Sequence, residues 1–159
     1  MGSVQFGIPR ALALSLKDKH GLVRFVETGT LVGHTSLWAS DHFTTAVTVD
    51  IEQKADFSGK SNIFAFSMDS AYFLETSSYD GPTLYWLDAH TNESCPVLRE
   101  IAAINENHVG VHVILVDDAR LFGDLPDWPT KEEVVWLLIN GGKRTVLEVD
   151  DVLVAEPCP

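Results

Sequence analysis

Five short apolar runs, each closing on a polar or acidic residue, constrain this chain more than any other feature. They are LVRFVE (22–27), TAVTVD (45–50), NIFAFS (62–67), TLYWLD (83–88) and HVILVD (112–117). Runs so short and so continuously apolar predict strands covered on both faces, as in a parallel sheet. Helical patterns separate several of them: 8–20, with Pro9 in its first turn and Gly21 beyond its end, then 35–42, 95–107 and 130–140. Thr130 with Glu133 forms a capping box, and Gly141-Gly142 is expected to stop that last helix. KRTVLEV (143–149) and DVLVAEP (151–157), joined through Asp150-Asp151, predict an antiparallel hairpin. Together these patterns predict one α/β domain over 1–159, a Rossmann-like, doubly wound, mostly parallel sheet between helical layers.

Such sheets bind ligands beyond the carboxyl ends of their strands, where strand order reverses. Here those ends carry Glu27, Asp50, Asp69, Asp88 and the pair Asp117-Asp118. The pair raises a question of its own, because adjacent carboxylates at the mouth of a buried strand repel unless water, a proton, a basic group or a metal offsets them. One connection is unusual. Twelve residues separate Asp50 from Ile63, too few for a crossover with a full helix. That sheet face is expected to be thinly covered, and a second copy of the chain, in a homo-oligomer, is a candidate cover.

The net charge of −12 argues against nucleic acid or an anionic membrane as partner and suits a small molecule or a divalent metal. No apolar run approaches a membrane span and no secretory signal opens the chain, so a cytoplasmic location is expected. Cys95 and Cys158 have no metal or disulfide spacing, and the six histidines show no zinc-site spacing.

After the first strand comes ETGTLVGHTS (27–36), a strand-to-helix turn with Gly29 and Gly33. A dinucleotide site needs a second glycine two residues after the first, so that a pyrophosphate can lie on the backbone. Leu31 stands there. That disfavours an NAD-linked oxidoreductase and leaves a nucleoside without a pyrophosphate. Asp50, 21 residues past Gly29, is placed to accept hydrogen bonds from ribose hydroxyls.

FVETGTLVGHTS resembles the first motif of class I S-adenosylmethionine-dependent methyltransferases, VTVDIE the second and FSMDS the third. The resemblance implies that Glu27 faces the methionine amino group and that Gly29, Thr30 and Gly33 shape the cofactor loop. It further implies that Asp50 holds the ribose and that Asp69 with Ser70 meets the adenine end. Met68 stands where the third motif usually has glycine.

Asp88 and, 29 residues later, Asp117 with Asp118 match in order and spacing the metal ligands of catechol and sugar O-methyltransferases. Three converging carboxylates call for a hard divalent ion, magnesium or calcium. The lysine of the catechol enzymes is replaced by Thr91, and the resemblance to the sugar enzymes, which can place their base two residues after the first Asp, puts the catalytic base at His90. Arg120 is the competing counter-ion, and the loop LFGDLPDWP (121–129) offers Trp128 either as an aromatic lid or as packing. The expected function is metal-assisted O-methylation of a small polar acceptor, a diol or sugar-like molecule, at a site where Asp88 and His90 do the chemistry. The alternative is a non-catalytic member that binds the nucleoside cofactor and acts through partner contacts.

Overall fold

In the computed structural model, which describes residues 7–159, each apolar run becomes a strand. β1 (Arg24–Thr28), β2 (Thr45–Asp50), β3 (Ile63–Ser67), β4 (Thr83–Leu87) and β5 (His112–Val116) pair in parallel. β6 (Arg144–Val149) and β7 (Val152–Pro157) form the expected hairpin, and β7 docks antiparallel on β5. The seven strands make one sheet in the order β3-β2-β1-β4-β5-β7-β6. Strand order reverses between β1 and β4, so their carboxyl ends flank a crevice.

Two helical layers cover the sheet because its strands are apolar on both sides. Phe25, Trp86 and Leu115 point to the face carrying α1 (Arg10–His20) and α2 (His34–His42). Val26, Tyr85, Leu87 and Ile114 point to the other, under α3 (Ser70–Thr76), α4 (Val97–Asn107) and α5 (Lys131–Gly142). Burying each such side chain stabilises the fold by about 1.5–3 kcal/mol. Among the described residues no helix is long and apolar enough to cross a membrane.

Two local expectations are corrected. The sequence patterns gave no sign of α3, whose seven residues are too few to show a period. It forms because the Asp69 carboxylate accepts the Tyr72 N–H at 2.7 Å and because Phe73 and Leu74 bury beneath it. Gly141-Gly142 does not stop α5; both lie inside it, and Lys143 ends it in the left-handed region at φ 51°. Those glycines serve close packing instead. A Cβ on Gly142 would lie 1.6 Å from Arg144 Nη1, and one on Gly141 2.4 Å from Asn105 Nδ2.

The crossover 51–62 contains no helix, as its length requires, yet it is not bare. Ala55 and Phe57 press on Gly33, where a Cβ would meet each at 2.8 Å. Asn62 donates to the Ser40 carbonyl at 2.8 Å, and Lys60 pairs with Asp41. β3 remains an edge strand with Phe64 half exposed.

Candidate functional site

The carboxyl ends of the central strands open onto two cavities of about 340 Å³ each. The cavities meet at Gly29, Leu31 and Asp88. One reaches Glu27, Thr30, Asp117 and Asp118; the other reaches Asp50, Asp69, Ser70 and His90. Apart from Gly33, every site residue expected from the sequence lines one of them. Gly33 lies outside both, as the left-handed N-cap of α2.

The glycine turn is built by two constraints. Gly29 has φ +83°, and a Cβ there would lie 2.5 Å from the Asp88 carbonyl oxygen, so the β1 and β4 ends abut only because Gly29 has no side chain. Leu31 is also left-handed, at φ 49°, a costly conformation for a branched residue. Asp50 holds it there, its Oδ2 accepting the Leu31 N–H at 3.0 Å while Oδ1 accepts that of Glu52 at 3.1 Å. Each Asp50 oxygen keeps a lone pair for a ligand hydroxyl.

Glu27 is 2 % exposed and lies at the inner wall of the first cavity. Its Oε2 accepts from the Ser36 hydroxyl and, at 2.8 Å, from that of Thr48. A chain of hydroxyls continues outward: Thr30 and Thr48 are 2.6 Å apart, and Gln53 of the crossover donates to Thr30 at 3.0 Å. Burial pushes the Glu27 carboxyl up to about 8, more than the two hydroxyls pull it down, and Asp88 adds to the rise.

At the other end, Asp69 serves as the N-cap of α3 and lies 3.7 Å from Arg99. Below it Glu100, in the first turn of α4, is 1 % exposed with neither oxygen in hydrogen-bond geometry. Burial pushes it up to about 7. The Ser70 and Thr28 hydroxyls favour its ionised form by less, and Asp69 and Asp88 disfavour it.

The carboxylate cluster divides in two. Asp117 and Asp118 line the same cavity, but only Asp118 enters the group with Asp88 and His90. Asp118, left-handed at φ 55°, converges with Asp88 and His90, and one ligand atom from each lies within 4.8 Å of the others. His90 Nε2 is 2.9 Å from Asp118 Oδ2 and 3.5 Å from Asp88 Oδ1. Asp117 is not in that group; its Oδ1 accepts the Asp118 N–H at 2.8 Å, and it faces the first cavity with Glu27. Burial first, and then Asp88, push Asp117 up to about 7. Asp88 is raised by burial, and His90 is raised chiefly by its bond to Asp88.

The question raised by the adjacent aspartates thus has a partial answer in side chains. Arg120 pairs with Asp118 Oδ1 at 2.7 Å and also with Asp151 of the β6–β7 turn. The Asp151 carboxylate accepts the Arg120 N–H at 2.7 Å as well, so the hairpin turn is tied to the site. Trp128 is packed rather than poised as a lid. It is 6 % exposed, its ring lies against His90 with centroids 4.8 Å apart, and its N–H donates to the Thr91 carbonyl at 2.9 Å.

Sequence reasoning missed Asp151, Glu100, Ser36, Thr48 and Gln53. Ser36 and Thr48 lie within the first two motifs without a role of their own there, and only the fold turns them and the other three toward the site.

No family model and no curated protein matches the sequence. Solved structures do match. An O-methyltransferase from Bacillus cereus in complex with SAH superposes with a TM-score of 0.67 at 16% identity, covering 98% of this chain and 84% of that one. The mycinamycin-pathway methyltransferase MycE, in complex with Mg, SAH and mycinamycin VI, gives 0.66 at 14% identity. This chain is covered over 95% of its length in that match and spans half of MycE. The N-methyltransferase NodS from Bradyrhizobium japonicum gives 0.58 at 16% identity, with 94% of each chain covered. Strand order, reversed β7 and these neighbours agree: the chain has the class I S-adenosylmethionine-dependent methyltransferase fold.

Proposed function

We propose that this chain binds S-adenosylmethionine and transfers its methyl group to a hydroxyl of a small polar acceptor, with a divalent ion at the aspartate cluster. The observation that carries the reading is the junction of the two cavities at Gly29 and Asp88, which sets a nucleoside-sized space beside Asp88, His90 and Asp118.

The residues fit the cofactor. Asp50 retains acceptor capacity for two ribose hydroxyls, Ser70 and Asp69 line the far end, and Glu27 lines the near one. The bound cofactor would supply an electrophilic sulfonium methyl. The residues also fit a divalent cation. Asp88, Asp117, Asp118 and Asp151 bring four carboxyl groups together with one permanent cation, Arg120, and with His90 between two of them. Burial raises both Asp88 and Asp117, and the Asp88 charge adds to the rise of Asp117. Asp88 and Asp118, whose oxygens converge, would hold the ion, with Asp117 on the wall of the same cavity, and the ion would acidify an acceptor hydroxyl.

His90 then serves as base. Two carboxylates face its Nε2, so that nitrogen carries the proton and Nδ1 is left to take one from the acceptor. Trp128 fixes the imidazole plane, and orientation supplies much of the acceleration. Both Asp118 oxygens are already engaged, by His90 and Arg120. That observation favours a second reading in which the two side chains replace the ion and cofactor binding is metal-independent.

The test is calorimetric titration of S-adenosylhomocysteine with magnesium or manganese and again after chelation, followed by labelled methyl transfer to a panel of vicinal diols. Binding, with transfer abolished by chelation and in Asp88→Asn, supports the first reading. Transfer that survives chelation moves the assignment to the second. Absence of S-adenosylhomocysteine binding sinks both.

A further inference from the structure

The sheet ends in two edge strands, β3 and β6. An edge strand leaves a row of backbone N–H and C=O groups unpaired, which proteins commonly blunt with proline, a bulge or a covering segment. β6 has no proline and pairs with β7 in unbroken register from Arg144 to Val149. The Cys158 N–H donates to the Lys143 carbonyl at 3.2 Å, and bonding alternates along an antiparallel ladder. Thr145, Leu147 and Val149 therefore direct their backbone groups to β7. Val146 and Glu148 direct theirs outward, where no strand among the described residues meets them. Apolar side chains flank this edge on both faces. Leu147 is 64 % and Val149 39 % exposed, beside Val154 and Val152 of β7. On the other face Ile139 of α5 is 41 % exposed, in the same helical row as Lys131, which pairs with Glu148. Among the described residues Lys143 and Asp150 form no ion pair, and they stand at opposite ends of β6. At β3 the flanking charges are already engaged: Lys60 pairs with Asp41, and Asp69 caps α3.

We propose that β6 is a dimerisation edge: two copies of this chain pair β6 to β6, antiparallel, about a two-fold axis at Leu147, and join their sheets into one. The inference stands apart from the cofactor reading. The occupant is a second copy because the strand is complementary to its own reverse. With the axis at Leu147, that side chain meets Leu147 of the second copy, and Val149 meets Thr145 of the second copy. The outward backbone groups of Val146 come opposite those of Glu148, so donors face acceptors. Lys143 comes opposite Asp151 of the second copy and beside its Asp150, so the basic end of each strand meets the acidic end of the other. A parallel pairing would set Lys143 against Lys143 and Asp150 against Asp150.

Such a contact uses the same patch twice, so it closes at two copies and leaves both β3 edges outside it. Because the paired strands run in opposite directions, the two carboxyl edges open at opposite ends of the joined sheet, and neither site is covered. Lys143 of the second copy then stands beside the turn whose Asp151 holds Arg120, which links the dimer to the rim of the site. The net charge of −12 on each copy opposes association. Screening over about 8 Å at physiological ionic strength confines that opposition to nearby charges, and at this edge the nearby charges are complementary.

The test is sedimentation velocity on wild-type protein and on Leu147→Lys in physiological salt, at low and high micromolar concentration, with residue-resolved amide hydrogen exchange at both concentrations. The expected result is a wild-type dimer at the higher concentration. Its Val146 and Glu148 amides should slow as concentration rises, while those of Thr145 and Leu147, bonded to β7, are slow throughout. Leu147→Lys sets two like charges on the axis and should raise the dissociation constant about tenfold or more. The exchange measurement on wild-type protein does not depend on that variant folding. A wild-type chain that is monomeric at the higher concentration overturns the proposal. So does a dimer whose Val146 and Glu148 amides exchange at the monomer rate, or one that L147K leaves intact, since either puts the contact on another surface such as β3.

Discussion

Glu100 shows how far a single residue can stand from its own best stability. A carboxyl with no hydrogen bond and 1 % exposure is held up to about 7 against an ordinary 4.5, with burial as the main cause. The sign follows from linkage. Below pH 4.5 both folded and unfolded chains hold the proton, and the group contributes nothing. As pH rises toward 7 the unfolded chain loses it first, so the native state is penalised, and the penalty is constant above that. Glu100→Gln cannot ionise. Relative to wild type it should gain up to about 3 kcal/mol between pH 4.5 and pH 8 in urea unfolding. A difference between the two proteins that does not change with pH would show that Glu100 ionises freely in the fold. At this scale the sequence revealed the acids at the strand ends but not their division. That Asp118 joins Asp88 and His90 while Asp117 stays outside their group goes with a left-handed backbone at Asp118, which no local pattern announces.

Elements were legible wherever their cause was local. The Thr130–Glu133 box is a four-residue signal, and the structure contains both of its reciprocal bonds. Thr130→Ala should cost about 1 kcal/mol in thermal unfolding and leave S-adenosylhomocysteine affinity unchanged, because the cap lines neither cavity of the site. Gly29→Ala tests a different kind of element. Its Cβ would collide with backbone of the β4 end in a conformation that alanine adopts poorly. We expect a loss of about 2 kcal/mol or more, together with loss of S-adenosylhomocysteine binding, since the turn and the Asp88 segment must separate. Wild-type affinity in that variant would show that the two strand ends can part without disturbing the site. The unforeseen α3 and the misread end of α5 share one cause. Seven residues give no period, and a glycine pair looks the same whether it stops a helix or admits a neighbouring arginine.

At the scale of the whole molecule, the sheet separates two chemistries. Its carboxyl edge gathers acids; its opposite edge buries His112, 4 % exposed with neither ring nitrogen hydrogen-bonded, beside Tyr85 and His108 at centroid distances of 5.5 and 6.5 Å. Burial first, then the neighbouring Arg144 and His108 charges, press His112 down to about 4. A histidine lowered in the fold leaves stability intact above its unfolded value near 6.5 and removes it as pH falls toward 4. The loss from this residue should be about 3 kcal/mol between pH 7.5 and pH 4. His112→Phe, which keeps the ring and cannot take a proton, should flatten that part of the acid limb in urea titrations. An acid limb identical to that of wild type would mean that His112 protonates in place.

The sequence by itself determined the class of fold, because strand composition, helix spacing and the closing hairpin are local patterns repeated along the chain. It also determined that the functional edge is acidic, since a strand end is a position in sequence before it is a place in space. Which acids meet, which are raised by burial and which cations answer them follows from the tertiary structure alone. Asp151 reaches Arg120 from 31 residues away, Gln53 reaches Thr30 from 23, and Trp128 reaches Thr91 from 37. Those pairings follow from the order of strands in the sheet and the desolvation it imposes, and charge in a buried place is set by surroundings that a linear pattern does not contain.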